Sequence, residues 1–315
     1  MDSLVYYGET TCQAKKANGV SCTNNAYFVV GDAYLCGVHS KSKPRQKLLV
    51  NPNKKAIKEE SIAQHHQSCL LTKQQNAEHN LPGQVICGKM SMMKEVQHIA
   101  GFLSVFPNKN HGNRTDGLGI PALSPMNLGP VVHGQSGLPP AVNLENFWQA
   151  SKLYPQQVLC KETDHSLCSE SCFRKYQLEM FRNGRAERHN KFAKDAGGKK
   201  VVPLGWVWTK ANGETSLFSY VQSRQFYCTF YERLTRASPE YDKLVELVRD
   251  GTSVQILGYD GRKIETGQNK DGMKRLLEAY YLDGSAPFGH ELVLVSMLVL
   301  EKDEMPWVRH KTEEF

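Results

Sequence analysis

Glu145, Gln149 and Lys152 stand four and three positions apart inside the most aromatic window of the chain, NLENFWQASKLYP, from Asn143 to Pro155. On a helix that spacing puts an acid, an amide and an amine on one face. Phe147, Trp148, Leu153 and Tyr154 surround them. Such residue types can serve cleavage of a ribosyl N-glycosidic bond, although spacing alone points to a solvated helix edge. The reaction builds positive charge on the anomeric carbon, so it needs a carboxylate to stabilise that charge or orient water, and a donor for the departing base. Glu145 fits the first need. Gln149 can hold ribose hydroxyls, and Lys152 or Arg224 can take a phosphate. Asp283, after Tyr280 and Tyr281, could supply a second carboxylate. Trp148 and its aromatic neighbours would exclude water and stack a base. The competing reading is a solvated helix edge over core aromatics, with Arg224 pairing a carboxylate in the core.

A second set of chemistry-bearing residues lies near the start. Cys12 and Cys22 are separated by nine residues, Cys36 follows after thirteen more, and His39 lies three positions beyond it. Three thiolates and an imidazole form a closed tetrahedral set, and the final Cys-x-x-His is a tight knuckle. The spacing predicts a structural Zn2+ ion, with no open position for catalysis. Gly19 before Cys22 and Gly31-Asp32 before Cys36 are turn signals that suit a small hairpin. Buried thiols with a surface histidine are the alternative. Cys160, His165, Cys168 and Cys172 offer a further but irregularly spaced set.

The elements that must position these residues follow from the pattern. Seven basic residues lie between Lys41 and Lys58 with no acid among them. They read as a solvated linker or as an arm contacting nucleic-acid phosphates. A polar helix follows and ends at Pro82-Gly83. From about Cys87 the texture turns rich in Gly, Pro and Asn, and a long loop over 101–138 runs directly into the aromatic window; loops of that length are usually functional. Asn143 can cap the helix there, and Pro155 limits its far end. Ser216 to Ala237 carries a helical apolar stripe. A helix from Ser238-Pro239 closes at Gly251, SVQILGYDG reads as a short strand, and KDGMKRLLEAYYLDG as another helix. GHELVLVSMLVLEKDEMPW is apolar on all sides and must be buried, as helix or strand.

NLENFWQASKLYP resembles the E-x-[YFW]-[YFW]-Q-x-x-K signature of the NADAR (YbiA-like) superfamily, which implies that Glu145, Gln149 and Lys152 line a pocket for a ribose linked to a base and that cleavage of that N-glycosidic bond is the reaction to expect. FLSVF, Phe102 to Phe106, resembles the family's F-S-N-F, with Val105 in place of Asn; Asn108 is the nearest polar substitute. YYLDG, Tyr280 to Gly284, resembles its Y-W-G-D-G, and FGHELVLVSML its N-x-L-G-x-x-L-M, with His290-Glu291 after a single Gly. The match covers roughly 87–307 with an insertion between about 155 and 215. SRQFYC, GYDG and PFGHEL resemble the branch carried by large cytoplasmic DNA viruses, and the cysteine module resembles short zinc modules of phage and large-virus proteins.

The resemblance and the pattern together predict an α+β fold: a zinc-binding module over 1–42, a basic linker and polar helix over 43–86, and a helix-rich NADAR-like domain with a few short strands over 87–315. The expected function is binding or hydrolysis of an ADP-ribose-type or ribosyl-base ligand, with catalytic Glu145 and Asp283 and substrate-binding Gln149, Lys152, Trp148, Arg224 and Asn108. A non-catalytic structural protein, for example a minor component of a virus particle, is the alternative, since fold does not imply activity. The chain has 315 residues, enough for a sizeable core. No apolar run approaches a membrane span, and MDSLVYYGET has no features of a signal peptide. The net charge of +7 permits nucleic-acid partners without demanding them. Nine Cys outside a small secreted scaffold point to intracellular thiols and metal ligands, hence a cytoplasmic location, and the resemblance to proteins of large DNA viruses implies the virion as a second location.

Overall fold

A computed structural model describes residues 5–49, 51–92, 94–159 and 168–312. The fold mixes helices and sheets, the expected α+β class. The chain forms two compact units, one through Gln64 and one from His65. The division falls within one helix, not at the ends of a linker.

The first unit is a three-stranded antiparallel sheet in the order β2-β1-β3, built from β1 (Phe28–Val30), β2 (Ala33–Leu35) and β3 (Gln46–Lys47). Gly31-Asp32 makes the two-residue hairpin turn between β1 and β2, with Gly31 at φ +58°, a conformation that favours glycine. The basic stretch expected as a linker is ordered. Lys47 lies in β3 and reaches over the Tyr7 ring, and Lys54 pairs with Glu9 at 3.1 Å. Helix α1 (Pro52–Glu78) starts on a proline. It ends four residues before Pro82, where Asn80 takes φ +53° and the Leu81 N–H reaches back to the Asn76 carbonyl.

The second unit holds a four-stranded sheet in the order β4-β10-β5-β6, formed by β4 (Val85–Lys89), β5 (Leu103–Phe106), β6 (Leu118–Gly119) and β10 (Val254–Gly258). All its pairings are parallel. All five residues of β10 are buried, which explains why SVQILG shows no clean alternation: a strand inside a parallel sheet is covered on both faces. A second, antiparallel sheet, β7-β8-β9, combines β7 (Lys152–Leu153), β8 (Gly205–Thr209) and β9 (Thr215–Phe218). Around these sheets lie α2 (Leu144–Ala150), α3 (Phe173–Arg182), α4 (Tyr220–Arg236), α5 (Pro239–Arg249), α6 (Lys270–Leu282), α7 (His290–Val299) and the short α8 (Pro306–Arg309).

The stripe expected as one helix over 216–237 is split. Its first residues pair as β9 with β8, and Ser219 then opens α4 through a capping box with Gln222. The ambiguous apolar run is helical: α7 packs against α4, β4 and β10, and burial on all sides explains its lack of an amphipathic stripe. Asn143 does cap α2, accepting the Asn146 N–H at 2.8 Å.

Arg224 locks this core. It is 1% exposed, packs over the Tyr220 ring, and donates to the carbonyls of Tyr280, Tyr281, Asp283 and Ala286. Four groups at and beyond the end of α6 are thereby satisfied by one cation on α4. Arg224→Met should cost at least about 3 kcal/mol, because several buried carbonyls lose their donor together. Urea unfolding would show this as a lower midpoint at an unchanged slope; a midpoint within error of wild type would refute it.

Candidate functional site

Helix α2 is only seven residues long, so Lys152 does not share its face. The helix ends at Ala150, Ser151 closes it, and Lys152 begins β7. The three polar residues meet nonetheless. The Gln149 amide donates to Glu145 Oε1 at 2.8 Å, and Lys152 Nζ donates to Gln149 Oε1 at 2.8 Å. They form one hydrogen-bonded line. The Lys152 ammonium also lies 5.5 Å from the Trp148 ring centre and 5.9 Å from that of Trp206. Trp148 in turn packs on Trp206, Phe226 and Tyr227.

Glu145 keeps some surface, yet its carboxyl is densely surrounded. Burial pushes its pKa up; the Gln149 amide and the charges of Lys152 and His290 pull it down, and Asp260 adds to the rise. Burial likewise pushes the Lys152 ammonium down to about 8, against the pull of Glu145 and Asp260, with Lys200 adding to the depression. A short stretch after α3 is fastened behind this line. The Asn146 amide donates to the carbonyls of Asn183 and Arg185, and Asn190 donates to the Gln149 carbonyl. On the other side the long loop meets the start of α2, where the N–H groups of Leu144 and Glu145 reach the carbonyls of Leu128 and Pro125.

Three expected site residues are engaged elsewhere. Asp283 accepts from the Ser285 hydroxyl and N–H and pairs with Arg262 at 2.9 Å, which holds its carboxyl down at about 2. Its position after α6 makes it the residue that closes that helix. The acid that bears on Glu145 and Lys152 is Asp260, two residues past the end of β10. Arg224 is spent on backbone carbonyls, as described above. Asn108 is buried and donates to the Leu257 carbonyl, tying the end of β5 to β10.

Asp260 and His290 were missed in the sequence because neither belongs to a periodic pattern. What places them is topology. Residues beyond β5 and β10 emerge at the carboxyl ends of parallel strands, where open sheets of this kind bind ligands. His290, first residue of α7, is fastened there through Nε2 to the Pro107 carbonyl at 3.0 Å. The sequence also gave no hint of Ser104, His98 and Asp116. Ser104 Oγ lies 2.8 Å from His98 Nδ1, and His98 Nε2 lies 3.3 Å from Asp116. This resembles a hydrolase triad, but Ser104 has no exposed surface and Arg114 grips both Asp116 oxygens. The set ties β5 to its flanking loop. A cleft of about 620 Å3 runs between residues 118–122 and α5; its lining includes none of the Glu145 line.

In the first unit, Cys12, Cys22, Cys36 and His39 bring their ligand atoms within 4.8 Å of one another and could hold a metal ion. His39 Nδ1 lies 3.4 Å from the Cys12 sulfur and 3.3 Å from that of Cys36. The Asn24 amide donates to the Cys36 sulfur. Of the irregular second set, Cys160 and His165 lie outside the described residues. Comparison with protein-family models, with curated proteins and with solved structures finds no match.

The depressed Lys152 pKa has a consequence for stability. An unfolded lysine titrates near about 10.4. Between pH 8 or so and that value the unfolded chain binds more protons here than the folded one, so this group makes the fold more stable as pH rises. Lys152→Met should remove that contribution, seen as a smaller gain in urea midpoint between pH 7.5 and 9.5 than wild type shows. Equal gains in the two proteins would contradict the assignment.

Proposed function

We propose that this chain cleaves an N-glycosidic bond in an ADP-ribose-type or ribosyl-base substrate at the Glu145 site. The observation that carries this reading is the line Glu145–Gln149–Lys152, half-buried against an aromatic wall. These are the residues on which the NADAR resemblance rests. Glu145, as a carboxylate, faces the charge that develops on the ribose; Gln149 orients it and is placed for a ribose hydroxyl. Lys152, poised near neutrality, is suited to hand a proton to the departing base. Asp260 replaces Asp283 as the second carboxylate, placed to take the proton of the attacking water. The electrons of the broken carbon–nitrogen bond leave with the base, which gains the Lys152 proton; the water oxygen bonds to the anomeric carbon and gives its proton to Asp260.

Glu145→Gln should lower turnover on the order of a thousandfold, the worth of a charge-stabilising or acid–base group. The replacement is nearly isosteric and its amide oxygen can still accept from Gln149, so the fold should survive. Undiminished hydrolysis of ADP-ribosylated guanosine or a similar ribosyl-base compound by this variant would remove Glu145 from the mechanism. A wild-type protein inactive on every such compound would favour a binding or structural role instead.

For the first unit we infer a structural zinc ion. The sulfur–nitrogen distances of 3.3 and 3.4 Å are close to the ligand separations of a tetrahedral site with bonds of about 2.0–2.3 Å. Purified without chelator, the protein should carry one equivalent of zinc. Its removal should unfold this unit while the larger one stays folded, since closed zinc sites supply much of a small module's folding energy. Elemental analysis showing no metal would overturn the assignment.

A further inference from the structure

Glu291 is the least accounted-for charged group in the described residues. It has no exposed surface, and neither carboxylate oxygen receives a hydrogen bond. Two glycines leave it room. A Cβ on Gly258 would fall 1.6 Å from Glu291 Oε1, and one on Gly289 would fall 2.5 Å from Oε2 and 2.7 Å from the Cβ of Asp260. The carboxyl therefore lies against bare backbone at the end of β10, beside Asp260.

The nearest ionisable partner is His290, whose Nδ1 lies 3.4 Å from Glu291 Oε2. The other ring nitrogen settles the hydrogen inventory. Nε2 faces the carbonyl of Pro107 at 3.0 Å, and a carbonyl can only accept, so Nε2 carries a hydrogen. A neutral ring would then turn the bare lone pair of Nδ1 toward a buried carboxylate that has no other donor. An isolated buried charge of that kind costs several kcal/mol. One proton between Nδ1 and Oε2 removes the conflict. The first turn of α7, in which Glu291 sits, favours placing the negative charge on the glutamate.

We propose that Glu291 holds His290 as an imidazolium. The charge of His290 also bears on Glu145, pulling that carboxyl's pKa down alongside Lys152 and against Asp260. Tyr227 and Tyr231 on α4 and Cys87 on β4 also face the pair; all three are held protonated by burial, with the Glu291 charge adding to the effect. Helix α6 turns Tyr281 toward Phe288 and His310.

The test reads protonation directly in the full chain. Nitrogen-15 labelling of the histidines, with His290 assigned by its absence in His290→Gln, should show both ring nitrogens protonated at pH 7.5. In Glu291→Gln the same ring should show a hydrogen on Nε2 alone. A singly protonated His290 in wild type, or an unchanged imidazolium in Glu291→Gln, overturns the proposal. Should Glu291→Gln fail to fold, Glu291→Asp takes its place, and the longer gap should weaken the imidazolium signature. Hydrolysis is measured in neither arm, so an inactive protein would sink the proposed function and leave this result standing.

Discussion

A carboxylate under protein is costly, and the arrangement of the larger unit around Glu145 is a set of answers to that cost. Burial alone pushes its pKa up. The Gln149 amide, the Lys152 ammonium and the His290 ring oppose it, each from a different element: α2, β7 and the start of α7. None of the three is redundant in kind. The amide fixes the orientation of the carboxylate, while the ammonium and the ring supply charge. Trp148 packs on Trp206, Phe226 and Tyr227 beside this line, which lowers the local polarity around it.

The parallel sheet makes this convergence available. Strands β5 and β10 run side by side in the same direction, so the segments that follow them leave at one edge. Asn108 stitches those two ends together through the Leu257 carbonyl, and His290 joins α7 to the same edge through Pro107. Asp260 follows β10 directly. Groups distant in sequence thus meet without long loops having to find one another. Arg224 and Asp283 serve the same end from further back. Together they close α6, and the segment that leads into α7 starts from that closure.

The smaller unit follows a different economy. Its apolar cluster consists of little more than Cys12, Cys22, Leu35 and Cys36 with a few half-buried neighbours. A core that small offers little hydrophobic stabilisation. Four side chains that could hold a metal ion converge here, brought together by the three-stranded sheet and the Gly31 turn.

What the sequence determined was local. The Cys and His spacing named four side chains that do converge in the first unit and could hold a metal ion, because tight turns fix which side chains can meet. Asn143 marked the start of α2, Pro239 the start of α5, and the 145–149–152 spacing named residues that do meet, although the helix stops before Lys152. Where the sequence read wrongly, a pairing partner was the cause. Residues 216–218 carry a helical stripe but sit as a strand because β8 offers them a ladder, and the basic stretch expected as a linker is partly recruited by β1 and by Glu9. The tertiary structure alone decided which acid accompanies Glu145. Asp283 and Asp260 are equivalent on paper, each an aspartate in an Asp-Gly pair after an apolar run. One follows a helix and is consumed by Ser285 and Arg262; the other follows a buried parallel strand and bears electrostatically on Glu145 and Lys152. Side-chain chemistry is written residue by residue, but the electrostatic neighbourhood that gives a carboxylate its role depends on which strand ends lie side by side, and that is set by long-range packing.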